Sequence, residues 1–101
     1  MFIVTNRLYI ADDFVQEFQD RFQARVSQMK TNPGFIRLQI HKPMGKDTAW
    51  SVHTQWQDQA SFKAWVQSDD FKAAHANPMP EEAFTAPGKM EQHEVVVDSD
   101  H

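Results

Sequence analysis

The apolar residues of this chain change their period along its length, and the order of the changes leaves room for few folds. Residues 2–10 alternate, with Phe2, Val4, Leu8 and Ile10 on one side and Ile3, Thr5, Arg7 and Tyr9 on the other, which predicts a strand. Over residues 11–30 the spacing becomes helical: Phe14 or Val15, Phe18, Phe22, Val26 and Met29 form a stripe, and Asp12 or Asp13 is expected to cap it. Asn32, Pro33 and Gly34 end that helix, because proline disfavours helical geometry in its predecessor and glycine permits a turn. Alternation resumes over residues 35–41, with Ile36, Leu38 and Ile40 opposed to Phe35, Arg37, Gln39 and His41. It continues in Trp50, Val52, Thr54 and Trp56, so an antiparallel hairpin turning at residues 44–47 is expected.

Asp58 or Ser61 caps a second helix running to about Gln67, and Ser68 followed by Asp69 and Asp70 opens a further one across a hinge. Residues 77–88 contain Pro78, Pro80, Pro87 and Gly88 and are expected to form a loop before a last strand at 90–97. Strand, helix, strand, strand, helix, strand is the split βαβ pattern, an α+β arrangement in which a four-stranded antiparallel sheet carries helices on one face. The opposite face needs a partner, and sheet-to-sheet dimerisation is the simplest one.

A length of 101 residues fits one domain, expected over residues 1–97 with a frayed tail at 98–101. A domain of this size buries roughly two-thirds of its unfolded surface, which leaves little room for a deep private cavity and again favours a dimer with shared walls. The net charge of −4 without a Lys/Arg-rich run argues against nucleic acid, whose phosphates need a clustered basic face. Absence of cysteine excludes disulfides, thiolate metal sites and a cysteine nucleophile. Residues 1–13 lack a basic n-region and interrupt their apolar run with Thr5, Asn6 and Arg7, so no signal peptide is read there. No apolar stretch approaches the roughly 20 residues of a membrane span, and cytoplasmic residence is the expectation.

The densest chemistry lies in residues 62–75, FKAWVQSDDFKAAH, where Phe62 and Trp65, and Phe71 and His75, are spaced to share helix faces. Asn6 is a polar amide on the apolar side of the first strand, a position that demands a hydrogen-bond partner. If the helices cover that side, Asn6, Trp65 and His75 line one cavity, and an amide, an indole and an imidazole between apolar walls suit a flat aromatic cofactor with a metal centre. Each also has a plain structural reading: Trp65 as a core anchor, His75 as a helix C-cap, Asn6 as a partner for local backbone. His41 and His53 lie on neighbouring strands, but two histidines without a carboxylate or thiolate make a poor zinc site. Three scattered glycines give no phosphate loop, and Glu81 and Glu82 sit in a proline-bounded segment where solvent suits them. Arg7, Arg21, Arg25 and Arg37 are available to a ligand carboxylate.

The NRL at residues 6–8, the RFxxR at 21–25, the Gly34-Phe35 pair and FKAWVQSDDFKAAH at 62–75 are spread along the chain. In these stretches the chain resembles the IsdG-like haem-degrading monooxygenases, a branch of the antibiotic biosynthesis monooxygenase superfamily of dimeric, ferredoxin-like α+β barrels. It departs from their pattern in the proline before Gly34 and in the proline-rich loop after His75.

The resemblance implies that His75, ten residues after Trp65, is the axial ligand of haem iron, with its second ring nitrogen fixed by an acceptor. It implies that Asn6 is an amide donor to dioxygen on the distal side, and that Trp65 presses the macrocycle out of plane. Phe22 and Phe71 join these three as haem contacts. Haem would be both cofactor and substrate, with O2 and electrons from an external reductase, in a homodimer. Two other readings use the same residues: a cofactor-free monooxygenase acting on a quinol or activated aromatic, and a non-catalytic haem-binding protein.

Overall fold

The computed structural model describes residues 1–99. Strand β1 (Phe2–Ile10) leads through one 3-10 turn (Asp12–Phe14) into α1 (Val15–Met29). The hairpin β2 (Phe35–His41) and β3 (Trp50–Trp56) follows, then α2 (Gln59–Val66), α3 (Asp69–Ala74), a 3-10 turn (Glu81–Ala83) and β4 (Phe84–Glu94). The sheet order is β2-β3-β1-β4 with every neighbouring pair antiparallel, so the ferredoxin-like arrangement expected from the sequence is the one observed.

Strand β3 explains why the sheet has one dry face. Trp50, Val52, Thr54 and Trp56 are all buried, and Ser51, His53 and Gln55 between them are not. Phe18 of α1 meets Trp50 edge-on at 5.5 Å, and Trp65 of α2 stacks on Trp56 at 6.5 Å. Both helices therefore cover the same side of the sheet. Two buried clusters result, one around Val4, Met29, Trp56 and Trp65, the other around Ile10, Phe18, Trp50 and Val52. Trp56 is fully buried, and its indole N–H donates to Thr54 Oγ1 at 3.0 Å, so the polar end of the ring is satisfied inside the core.

Several expectations need correction. Asp12 and Asp13 do not cap α1: they lie in the 3-10 turn, and the helix begins after Phe14 without a side-chain cap. In β2 it is Phe35, not Ile36, that faces the core. Phe35 pairs with Trp56 and Arg37 with Gln55, so Ile36 is the extra residue of a β-bulge, which reverses the parity of the residue before it. Ile36 is exposed, while Phe35 packs edge-on to Trp56 at 5.3 Å.

The expected loop at 77–88 ends early, since residues 84–88 already belong to β4. This strand is a sheet edge and its register with β1 shifts between Arg7 and Ile10, which is where a sheet tolerates a proline such as Pro87. Gly88 fits there because a Cβ would stand 2.8 Å from the Arg7 carbonyl oxygen. The last strand stops at Glu94 rather than Val97, and Val96 and Val97 are exposed. The expected frayed tail at 98–101 lies partly outside the described residues.

The turns follow local chemistry. Gly34 takes φ +83° after Pro33, and its carbonyl accepts from the Gln57 N–H at 2.7 Å. Asp58 caps α2 by accepting from the Ser61 backbone N–H at 2.8 Å, and Ser68 caps α3 by accepting from the Phe71 N–H at 3.1 Å.

Candidate functional site

Between the dry face of the sheet and the helices lies a cavity of about 460 Å³, within the usual range for small-molecule sites. All five residues singled out from the sequence, Asn6, Phe22, Trp65, Phe71 and His75, line it. A larger open groove between α1 and β2, about 680 Å³, contains none of them.

Asn6 sits mid-strand on β1, which has neighbours on both sides, and pairs with Val52 of β3 and Met90 of β4. An edge or loop-pairing role therefore does not apply. The half-buried amide makes no hydrogen bond to another described residue, and it points where a cavity occupant would meet it. Trp65 is both things the sequence suggested: only 5% exposed, it anchors the core against Trp56 and still presents a surface to the cavity. Phe71 stands perpendicular to it at 5.7 Å, so two aromatic planes of different orientation bound the space.

His75 is the C-cap of α3, as the plain reading has it. Its Nδ1 lies 2.9 Å from the Phe71 carbonyl oxygen. A carbonyl can only accept, so Nδ1 carries a proton, and in the neutral ring it is Nε2 that keeps the lone pair. The ring also stacks on Phe71 at 4.1 Å and 29°. An imidazole whose tautomer and plane are both fixed, with Nε2 unprotonated, is the form that ligates a metal. Among the described residues no three His, Cys, Asp or Glu side chains converge, so a metal held here must bring most of its ligands with it, as a macrocycle does.

Of the four arginines only Arg25 lines the cavity. Burial, and secondarily the neighbouring Arg21, pull its pKa below the ordinary arginine value. Arg7 is engaged elsewhere, paired with Glu91 at 2.7 Å. Glu81 and Glu82 are exposed in their 3-10 turn. Met90 and Gln92 of β4 also line the cavity, and sequence reasoning missed both. The signal existed, since Met90 is the register partner of Asn6, but it required knowing how β4 pairs across its irregular start.

A family model described as antibiotic biosynthesis monooxygenase matches residues 1–77. A staphylobilin-producing haem oxygenase of Staphylococcus haemolyticus is 32% identical over 79 residues, covering 76% of this chain and 75% of the relative. A haem-degrading monooxygenase of Bacillus thuringiensis is 30% identical over 100 residues, covering 96% and 92%. Among solved structures, the haem degrader MhuD of Mycobacterium tuberculosis, with two haems bound in its active site, superposes with a TM-score of 0.77. That match is 26% identical and covers 97% of this chain and 98% of that one.

Proposed function

Because the chain belongs to the antibiotic biosynthesis monooxygenase family, we propose that it is a haem-degrading monooxygenase, opening the porphyrin ring with O2 and releasing iron. The observation that carries this reading is His75: a histidine with Nδ1–H tied to a helix carbonyl and Nε2 free, at an aromatic-walled cavity. The haem-degrading names of the relatives at 30–32% identity support it.

The donor set fits haem as substrate and cofactor. Bound haem supplies the iron at which oxygen is reduced and the ring carbon that is oxidised. His75 Nε2 would hold the iron, while the Phe71 carbonyl fixes the proton on Nδ1 and with it the orientation of the ring. Asn6 donates its amide hydrogen to negative charge developing in the cavity, a preorganised donor that has no described protein group to release first. Trp65, packed against Trp56, is held in place and would press on the face of a flat ligand. Phe22 and Phe71 exclude water. Electrons come from an external reductase.

The protein acts as a homodimer, its outer sheet face covered by a second copy, and works in the cytoplasm. Among the described residues, no helix is long and apolar enough to cross a membrane.

The test is an absorbance titration with haemin, followed in the same cuvette by ascorbate in air with an iron chelator present. A saturable Soret band at one haem per protomer that then decays, with iron reaching the chelator, supports the enzyme. A band that persists with every competent reductant indicates a haem carrier. No band at all favours a cofactor-free monooxygenase acting on a quinol or activated aromatic.

A further inference from the structure

The two arginines of the RFxxR stretch have no part in the roles above, yet both reach from α1 to the same short segment. Arg25 donates through Nη2 to the Ala74 carbonyl at 2.9 Å, and its guanidinium lies 4.5 Å from the centre of the Phe22 ring. One turn earlier, Arg21 donates through Nη1 to the Asn77 carbonyl and is held from its other side by Glu17 at 3.4 Å. Ala74 and Asn77 bracket His75 in the chain.

A helix C-terminus leaves carbonyls without internal partners, and basic side chains satisfy them. Here the basic groups come from a different helix, 49 and 56 positions earlier. With only six residues, α3 is far too short to hold its own shape, so what it is tied to decides where its last turn stands. Burial of the Arg25 guanidinium is costly, and the charge-assisted bond to Ala74 and the contact with Phe22 offset that cost.

We propose that Arg25, assisted by Arg21, is a positioning residue for His75: it clamps the last turn of α3 onto α1 and so sets where Nε2 stands at the cavity. The clamp is independent of any ligand, and only its consequence for iron ligation rests on the haem reading. Since Arg25 also lines the cavity, the competing role is pairing with a ligand carboxylate, and the test separates the two.

Hydrogen exchange of residues 69–77 is compared in ligand-free wild type and Arg25→Gln, with β1 and β3 amides as the internal reference. Loss of a charge-assisted tether predicts about tenfold faster exchange in that segment alone. Exchange unchanged there, or raised equally across the sheet, overturns the clamp. The same proteins are then titrated with haemin and with iron etioporphyrin, which lacks carboxylates. The clamp predicts an altered axial-ligation spectrum in Arg25→Gln with both porphyrins, and recovery in Arg25→Lys, which keeps one N–H for Ala74. Weaker binding of haemin only, with normal ligation, assigns Arg25 to the carboxylate and overturns the proposal. If wild type binds neither porphyrin, the haem reading fails and the exchange result alone decides the clamp. Should Arg25→Gln fail to fold, Arg21→Gln takes its place in the same comparison, with faster exchange at residues 69–77 alone expected and unchanged exchange overturning the clamp.

Discussion

A histidine ending a short helix ordinarily turns its ring toward the carbonyls left over there, and in His75 that ordinary contact is what leaves Nε2 free. Capping is thus compatible with the ligation proposed for this ring. His75→Ala is expected to abolish haem turnover and the histidine-ligated spectrum while changing stability little, because the ring is exposed. Added imidazole should restore the spectrum, and turnover persisting at the wild-type rate would remove the ligand role. Trp65 differs, being packed on Trp56 and Phe71. Trp65→Phe keeps an aromatic but loses buried area, so a stability cost of about 1–2 kcal/mol is expected. Haem should stay bound with slower oxygenation in air and ascorbate, and an unchanged rate would count against the steric role. At this scale the lining of the cavity was largely legible: Asn6 announced itself as an amide among apolar alternates, and Trp65 and His75 by helical spacing. The arginine contacts were not, since a bond between residues 49 apart leaves no local trace.

Among the elements, the joint between α2 and α3 has the sharpest dependence on one side chain. Ser68 Oγ donates to the Trp65 carbonyl at 2.6 Å and accepts from the Phe71 N–H at 3.1 Å, linking the residues on either side of the joint. Ser68→Ala removes a cap and leaves the Phe71 N–H unsatisfied, with an expected loss of about 1 kcal/mol in urea unfolding. Ser68→Asp, which can still accept from the N–H, should recover most of it; equal losses in the two variants would show that capping is not the cause. Sequence patterning worked for β3 because each inward residue but Thr54 is large and apolar. It failed at Ile36, where the alternation runs on unbroken through a bulge that only the partner strand defines. It failed again at the start of β4, because Pro87 and Gly88 signal a loop unless the strand is known to be an edge.

The whole molecule presents two unlike sheet faces, and the outer one carries His41 and His53 stacked at 5.4 Å. Burial lowers the pKa of His53 from its ordinary 6.5, with His41 and then Arg37 adding to the effect. The unfolded chain therefore takes up this proton at a higher pH than the folded one. Stability should be full above about pH 6.5 and decline as pH falls through the depressed folded value. Urea midpoints measured from about pH 7.5 to 5 should show this decline, and His53→Gln should flatten it. A slope unchanged in that variant would assign the acid sensitivity to other groups.

The sheet order also joins Arg7 on β1 to Glu91 on β4 across 84 positions of sequence. Synthesis delivers β1 first and its outer neighbour last, so a growing chain can assemble β1 with the β2–β3 hairpin while the flank bearing Met90 and Gln92 is still missing. The wall of the cavity is then completed in one late step, so the order of synthesis sets the earliest moment at which a newly made chain can close it.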